Sequence, residues 1–492
     1  MTAGFGWLAA GELGTGDAIR AILGLLVVFA LAYVLGHPVV RRYEKRFGLS
    51  QLFAFGLPFL VLGLLFRAEG VLSEPVMTAI EPLLILGLGW IGFALGFRFD
   101  IRIFDRFPRE LLEAFLLTAI LPFGVMLAAI SAMLAIGEGV DASAAFFRDA
   151  LVLATAGAMT SRAIISRMQS TPADNGLSAR DRLARIIHLE ELAGFTGLLV
   201  LGAFFRADGV DSGWALPPFG WVFVTIGGAT VLGVLVYASL TTVHGLGETI
   251  AVMLGAIALS AGVAGFLKLS PLIVCFVAGL LLANLPGAWK EEVKQALWRL
   301  ERPLYLIFLV IVGASWRLDQ WEGWVVMALF VVARAGSRFL GVRILAVRHP
   351  DLLTDDEERH LASSPMGGLA IAIVIGAEEL FAGPTTSWIV HAVVFGSIVS
   401  ELLPRFLKTV RPVVTVPAAM LARMAGRDEN AAAGLEAVTE TAMAEAGPMA
   451  SAPDDRDEAD HTSRPDEADA SSPSDEADPS SPAEEPGQEA PR

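Results

Sequence analysis

The chain has 492 residues, of which 54% are hydrophobic and 18% charged, where a soluble protein carries about a quarter charged. The apolar residues fall in many runs of roughly twenty, each enough to cross a hydrocarbon core about 30 Å thick, which excludes a soluble enzyme or a singly anchored protein. The net charge of −16 belongs to one end: residues 427–492 hold 19 Asp/Glu against 4 Arg, while residues 1–426 hold 33 acids against 32 bases, so neither a basic partner nor nucleic acid is implied for the body.

In chain order the pattern predicts thirteen membrane spans, at 16–37, 50–66, 79–98, 110–136, 147–168, 183–205, 217–241, 247–267, 270–285, 299–315, 323–345, 361–380 and 386–409. The first run is long enough to stay as a span rather than act as a cleaved leader. Barrel strands are about ten residues long and alternate, whereas these runs are longer and continuous, so the spans are expected to be helices. Loop charge fixes the orientation. With the N-terminus outside, the cytoplasmic loops collect 22 Lys/Arg, from Arg41 to Arg411, and the outer loops 6. Cys275 is the one cysteine and lies in an apolar run, so no disulfide forms within the chain. Residues 1–411 are read as a membrane domain, and residues 412–492 as an acidic cytoplasmic tail too poor in apolar residues to fold.

An internal echo suggests an inverted repeat. Gly96-Phe97-Arg98-Phe99-Asp100 ends the third span, and Gly313-Ala314-Ser315-Trp316-Arg317-Leu318-Asp319 ends the tenth, on opposite sides of the bilayer. An offset of seven spans then pairs the fifth with the twelfth, as in transporters built from inverted halves.

A charge within a span costs a few kcal/mol and needs a reason. Arg162, Glu190, Glu191, Arg334 and Arg338 are such charges, joined by the polar His188 and His391. Adjacent residues on a helix point about 100° apart, so Glu190 and Glu191 look in different directions. Glu191 shares a face with His188, and Glu190 with Gly194 and Gly197. Burial favours the neutral form of a carboxylate and a nearby cation the ionised form, so a Glu poised between the two can hold a proton or a cation. The alternative is a hydrated pair near the membrane edge. Ala156 to Ala163, with Thr160, Ser161 and Arg162, is rich in small and hydroxylated residues, as in a broken helix. Ser363-Ser364-Pro365-Met366-Gly367-Gly368 is a stronger break signal. Arg334 is expected as a fixed counter-ion of the buried acids, and Arg338 to snorkel toward the cytoplasmic edge.

Together these features resemble the monovalent cation:proton antiporter superfamily, and within it the Kef-type and NapA-type branch. Thr160-Ser161-Arg162-Ala163 falls on the family's small-polar crossover motif and Glu190-Glu191 on the acidic pair of its next helix. Leu86 to Gly96 resembles the early glycine-rich span, Phe308 to Gly313 a later one, and Arg334 the site of a basic residue that pairs with the acids. The resemblance covers about residues 16–410. It implies an all-α NhaA-like antiporter fold, two inverted repeats with crossed broken helices, a homodimer, and a place in the plasma (cell inner) membrane.

Two departures matter. Both acids are Glu where the family usually has Asp, and Arg162 stands where the crossover motif is usually small and polar. Arg162 either pairs permanently with Glu190, leaving Glu191 as the single exchangeable site, or occupies the cation site itself. The tail has no Gly-rich strand-turn-helix pattern, so nucleotide gating is not expected and no cofactor is implied. The expected activity is exchange of Na⁺ or K⁺ for H⁺ by alternating access, one for one. Glu191 would carry either ion, Thr160, Ser161 and the 363–368 break would supply oxygens and dipoles, and Glu190 would pair with Arg162 or Arg334. The alternatives are a small-anion transporter of the same fold and a non-transporting sensor acting through its tail. No His-Glu-x-x-His or Gly-x-Ser-x-Gly motif occurs, which argues against an intramembrane enzyme.

Overall fold

Every regular element among the described residues is a helix, as a backbone that cannot leave its amides unpaired in lipid requires. The computed structural model describes residues 56–104, 108–138, 144–162, 164–165, 179–205, 216–243, 245–316, 318, 320–350, 352–381 and 385–409, with isolated positions from 19 to 30. Most of the span expected at 16–37, the first basic loop, Arg317 and Asp319 of the echo, and the tail lie outside the described residues.

The helices are α1 (Leu57–Ala68), α2 (Glu74–Phe97), α3 (Arg109–Phe115), α4 (Leu121–Glu138), α5 (Ala144–Ala158), α6 (Ala179–Phe204), α7 (Pro218–Leu240), α8 (Leu246–Phe266), α9 (Pro271–Asn284), α10 (Lys290–Ser315), α11 (Trp321–Arg348), α12 (Asp355–Ala362), α13 (Gly367–Leu380) and α14 (Thr386–Thr409). Among the described residues, seven stretches are long and apolar enough to cross a bilayer, and Leu57–Ala68, Pro271–Asn284 and Thr386–Leu402 are shorter apolar helices. Local chemistry sets several starts. Pro58, Pro75, Pro218 and Pro271 stand in the first two helical positions, where a missing N–H costs nothing. Thr354 and Glu357 form a reciprocal capping box that opens α12.

Two pairs of helices pack backbone to backbone. α2 meets α9 at Gly92, Gly96 and Gly279, where an added Cβ would strike the carbonyls of Leu272, Phe276 and Phe93. α10 meets α1 at Gly313 and Gly63, against the carbonyls of Leu60 and Val310. An offset of seven spans turns the first pair into the second, since α2 and α10 are the third and tenth spans and α1 and α9 the second and ninth. In the expected span numbering, Gly96 and Gly313 of the echo thus make equivalent contacts.

Two interruptions cross at the centre. α5 ends at Ala158 and gives way to non-helical chain at Met159–Ser161, while residues 363–366 separate α12 from α13. Ser161 N–H donates to the Pro365 carbonyl at 2.8 Å, joining the two breaks. Gly367 opens α13 with φ +76°, a left-handed conformation that favours glycine, and a Cβ there would meet Ser161. α9 and α13 are buried along most of their length and form the middle of the bundle. A third irregularity is a π turn, Leu116–Ile120, between α3 and α4.

Candidate functional site

Glu190 and Glu191 stand midway along α6 and are 0% and 3% exposed, so the bundle encloses both. They do point apart. Gly194 and Gly197, on the Glu190 side, let α6 approach Met159 and Thr155 of the α5 segment closely.

Glu191 is held by Arg162. The guanidinium Nε donates to Oε1 at 2.6 Å and Nη2 donates to Oε2, a two-point pair whose arginine side remains partly open. Glu190 lies deeper. Thr118 donates its hydroxyl to Glu190 Oε1 at 3.1 Å, and Arg338 Nη2 lies 3.6 Å from the same oxygen. The Thr160 hydroxyl, also buried, lies on the Glu190 side and interacts with that carboxylate.

The three arginines take different partners. Arg162 pairs with Glu191 rather than Glu190, because the helical step between the acids turns Glu191 toward the crossover and Glu190 toward α11. Arg338 does not snorkel: it is 0% exposed, and Nη1 donates to the carbonyls of Thr118 at 3.0 Å and Ala158 at 3.3 Å. Arg334 makes no direct ion pair with either acid, although its charge acts on Glu190. It donates to the carbonyls of Gly157 (2.9 Å), Ser364 (3.0 Å) and Met159 (3.0 Å), neutralising carbonyls that both breaks leave without helical partners.

Pro122 explains the Thr118 contact. An α-helical carbonyl accepts from the N–H four residues on, and proline has none, so the Thr118 carbonyl is released to Arg338. Gly341 lets α11 come against the π turn at the Leu117 carbonyl. Arg338, Thr118 and the π turn were not expected at the site, although Pro122 in an apolar run was a readable signal.

The other break residues are placed as follows. Ser363 caps α12 and donates its hydroxyl to the Arg359 carbonyl at 2.7 Å. Ser364 and Pro365 offer carbonyls to Arg334 and Ser161, and the Met366 N–H donates to Ser400 Oγ at 3.4 Å. Gly368 lies against the Tyr305 ring, with no room for a Cβ. His391 stands apart, accepting from Trp316 Nε1 at 3.2 Å. Among the described residues no group of three or more His, Cys, Asp or Glu is placed to hold a metal ion.

A cavity of about 480 Å³ reaches this centre. Thr160, Ser161, Arg162 and Glu191 line it together with Gly367 and Gly368, and its wall continues past Tyr305 to Glu301 and Arg98. Glu190 does not line it. Arg98 follows α2 directly, so the cavity extends toward the end of the bundle where α2 finishes. On the other side of the crossing, Thr385 before α14 donates to the buried Asp149 of α5, which Arg148 also pairs at 2.8 Å.

Crossed helix breaks beside buried charges, within a bundle of inverted halves, define a membrane protein with the fold of the sodium–proton antiporters. Among solved structures the chain is similar to the sodium proton antiporter MjNhaP1 from Methanocaldococcus jannaschii at pH 8, with a TM-score of 0.56 and 18% identity over 82% of this chain and 98% of that one. No protein-family model and no curated protein matches the chain.

Proposed function

We propose that the protein exchanges Na⁺ or K⁺ for H⁺ by alternating access, as a member of the Kef-type and NapA-type branch. The observation that carries this reading is the cavity ending at Glu191 beside the two crossed chain breaks. Glu191 is the exchangeable site: it is buried, yet it is the acid of the pair that the cavity touches. Glu190 is the enclosed acid, held by Thr118 and Arg338, and does not line the cavity.

The chemistry at Glu191 is a three-way competition. A proton, an alkali cation and the Arg162 guanidinium each neutralise the same carboxylate, so either transported ion must displace Arg162. Arg334 already takes three of the freed carbonyls, and on this reading a cation is held by Glu191 with the hydroxyls of Thr160 and Ser161, which line the same cavity. The N-terminus of α13, at Gly367 and Gly368, lines the same cavity as Glu191. One exchangeable acid implies one cation for one proton.

The protein would sit in the plasma (cell inner) membrane as a homodimer, with residues 1–411 as the transport domain, the N-terminus outside and the tail from residue 412 in the cytoplasm. On that orientation the cavity is open to the cytoplasm and the Asp149–Thr385 side is closed. Proton flux in proteoliposomes under Na⁺, K⁺ and Li⁺ gradients tests the proposal, with Glu191→Gln expected to abolish flux.

One observation favours a second reading. Arg162 is seated on Glu191, and Arg98 and Arg302 also line the cavity, so a small anion is an alternative cargo. Binding of alkali cations compared with carboxylates by purified protein separates the two.

A further inference from the structure

A guanidinium that leaves Glu191 needs another partner, since an unpaired charge in a partly desolvated cavity is costly. Arg162 follows the end of α5, where no continuous helix fixes its backbone, and its side chain is already partly open to the cavity. Among the described residues that line the cavity, Glu191 and Glu301 are the acids. Glu301 is also near enough to act on the charge of Arg162.

Glu301 is engaged, though weakly. It pairs with Arg98, and the two side chains are 40% and 35% exposed. Such exposed pairs contribute little, so Arg98 can be displaced or can share the carboxylate. Glu301 precedes Pro303 by two residues in α10, and that proline denies the Arg299 carbonyl its helical hydrogen bond, which loosens the turn carrying Glu301.

We propose that Glu301 is the second seat of Arg162. When a cation or proton takes Glu191, the guanidinium moves along the cavity wall to Glu301, in competition with Arg98. Glu301 is then a positioning residue: it never touches the transported ion, but it sets how readily Arg162 yields Glu191. The inference rests on the antiport reading above.

Opposite effects are required of the two members of the Glu301–Arg98 pair. Removing Glu301 strands Arg162 on Glu191 and weakens apparent cation affinity. Removing Arg98 frees Glu301 to hold Arg162 away, which strengthens it. The test is cation-driven proton flux by the full-length protein in proteoliposomes, measuring KM and kcat for Na⁺ and K⁺. Glu301→Gln is expected to raise KM by about two- to fivefold, and Arg98→Gln to lower it by a similar factor, the range set by a part-exposed ion pair. The double variant should match Glu301→Gln, and Glu301→Asp should return KM toward wild type.

If Glu301→Gln fails to assemble, Arg98→Gln alone decides, because a lowered KM supports the proposal and an unchanged or raised KM overturns it. Two single variants that shift KM in the same direction, or leave it unmoved, overturn the inference while wild-type exchange upholds antiport. Wild-type protein that exchanges no cation for protons overturns the antiport reading and this inference with it.

Discussion

Five ionisable side chains converge at the crossing, and each has a different claim on its surroundings. Glu190 and Arg338 face each other where the cavity does not reach. Breaking such a buried pair by removing one partner leaves an uncompensated charge, so Arg338→Met is expected to destabilise the protein by about 3–5 kcal/mol. Adding Glu190→Gln should recover part of that loss, and thermal unfolding of the detergent-solubilised variants measures both. Neither acid was hidden in the sequence, because a charge inside an apolar run stands out by its cost. The pairings were hidden. They depend on a 100° step along α6 and on side chains arriving from α11, about which local pattern is silent. A span ending at 345 places Arg338 near an edge, whereas α11 continues to Arg348 and Arg338 is fully buried.

At the scale of elements, the site is made by three interruptions of regular helix. The break at 363–366 is legible because Pro365, with Gly367 and Gly368 just after it, interrupts an apolar run. The break after Ala158 was legible from its small and hydroxylated residues. The π turn at Leu116–Ile120 has no plain local signature, because proline is common in membrane helices and the partner that makes Pro122 meaningful, Arg338, meets Thr118 from 220 residues away. Gly367 concentrates the constraint of the crossing. Alanine there must adopt φ near +76° and also push into Ser161. Gly367→Ala is therefore expected to cost at least about 1–2 kcal/mol from backbone strain alone and to separate the two breaks. A lowered melting temperature together with lost transport would bear this out; a variant that melts and transports like wild type would contradict it.

For the whole molecule, the sequence echo of Gly-containing motifs marks corresponding places in two halves, and the equivalence shows in packing: α2 on α9 and α10 on α1 exchange under the same offset. Such symmetry gives a transporter two related arrangements of one set of helices, which alternating access requires. The antiport reading assigns no transport role to the acidic end of the chain. Deleting residues 427–492, which carry 19 of the acids, should leave flux in proteoliposomes essentially at the wild-type rate, whereas a sensor acting through that segment would show no transport to preserve. The most direct measurement is the Glu191→Gln comparison under imposed Na⁺ and K⁺ gradients. The account predicts robust proton counterflow in wild-type vesicles and background counterflow in Glu191→Gln vesicles containing equal amounts of folded protein. Counterflow at the wild-type rate in Glu191→Gln would contradict it.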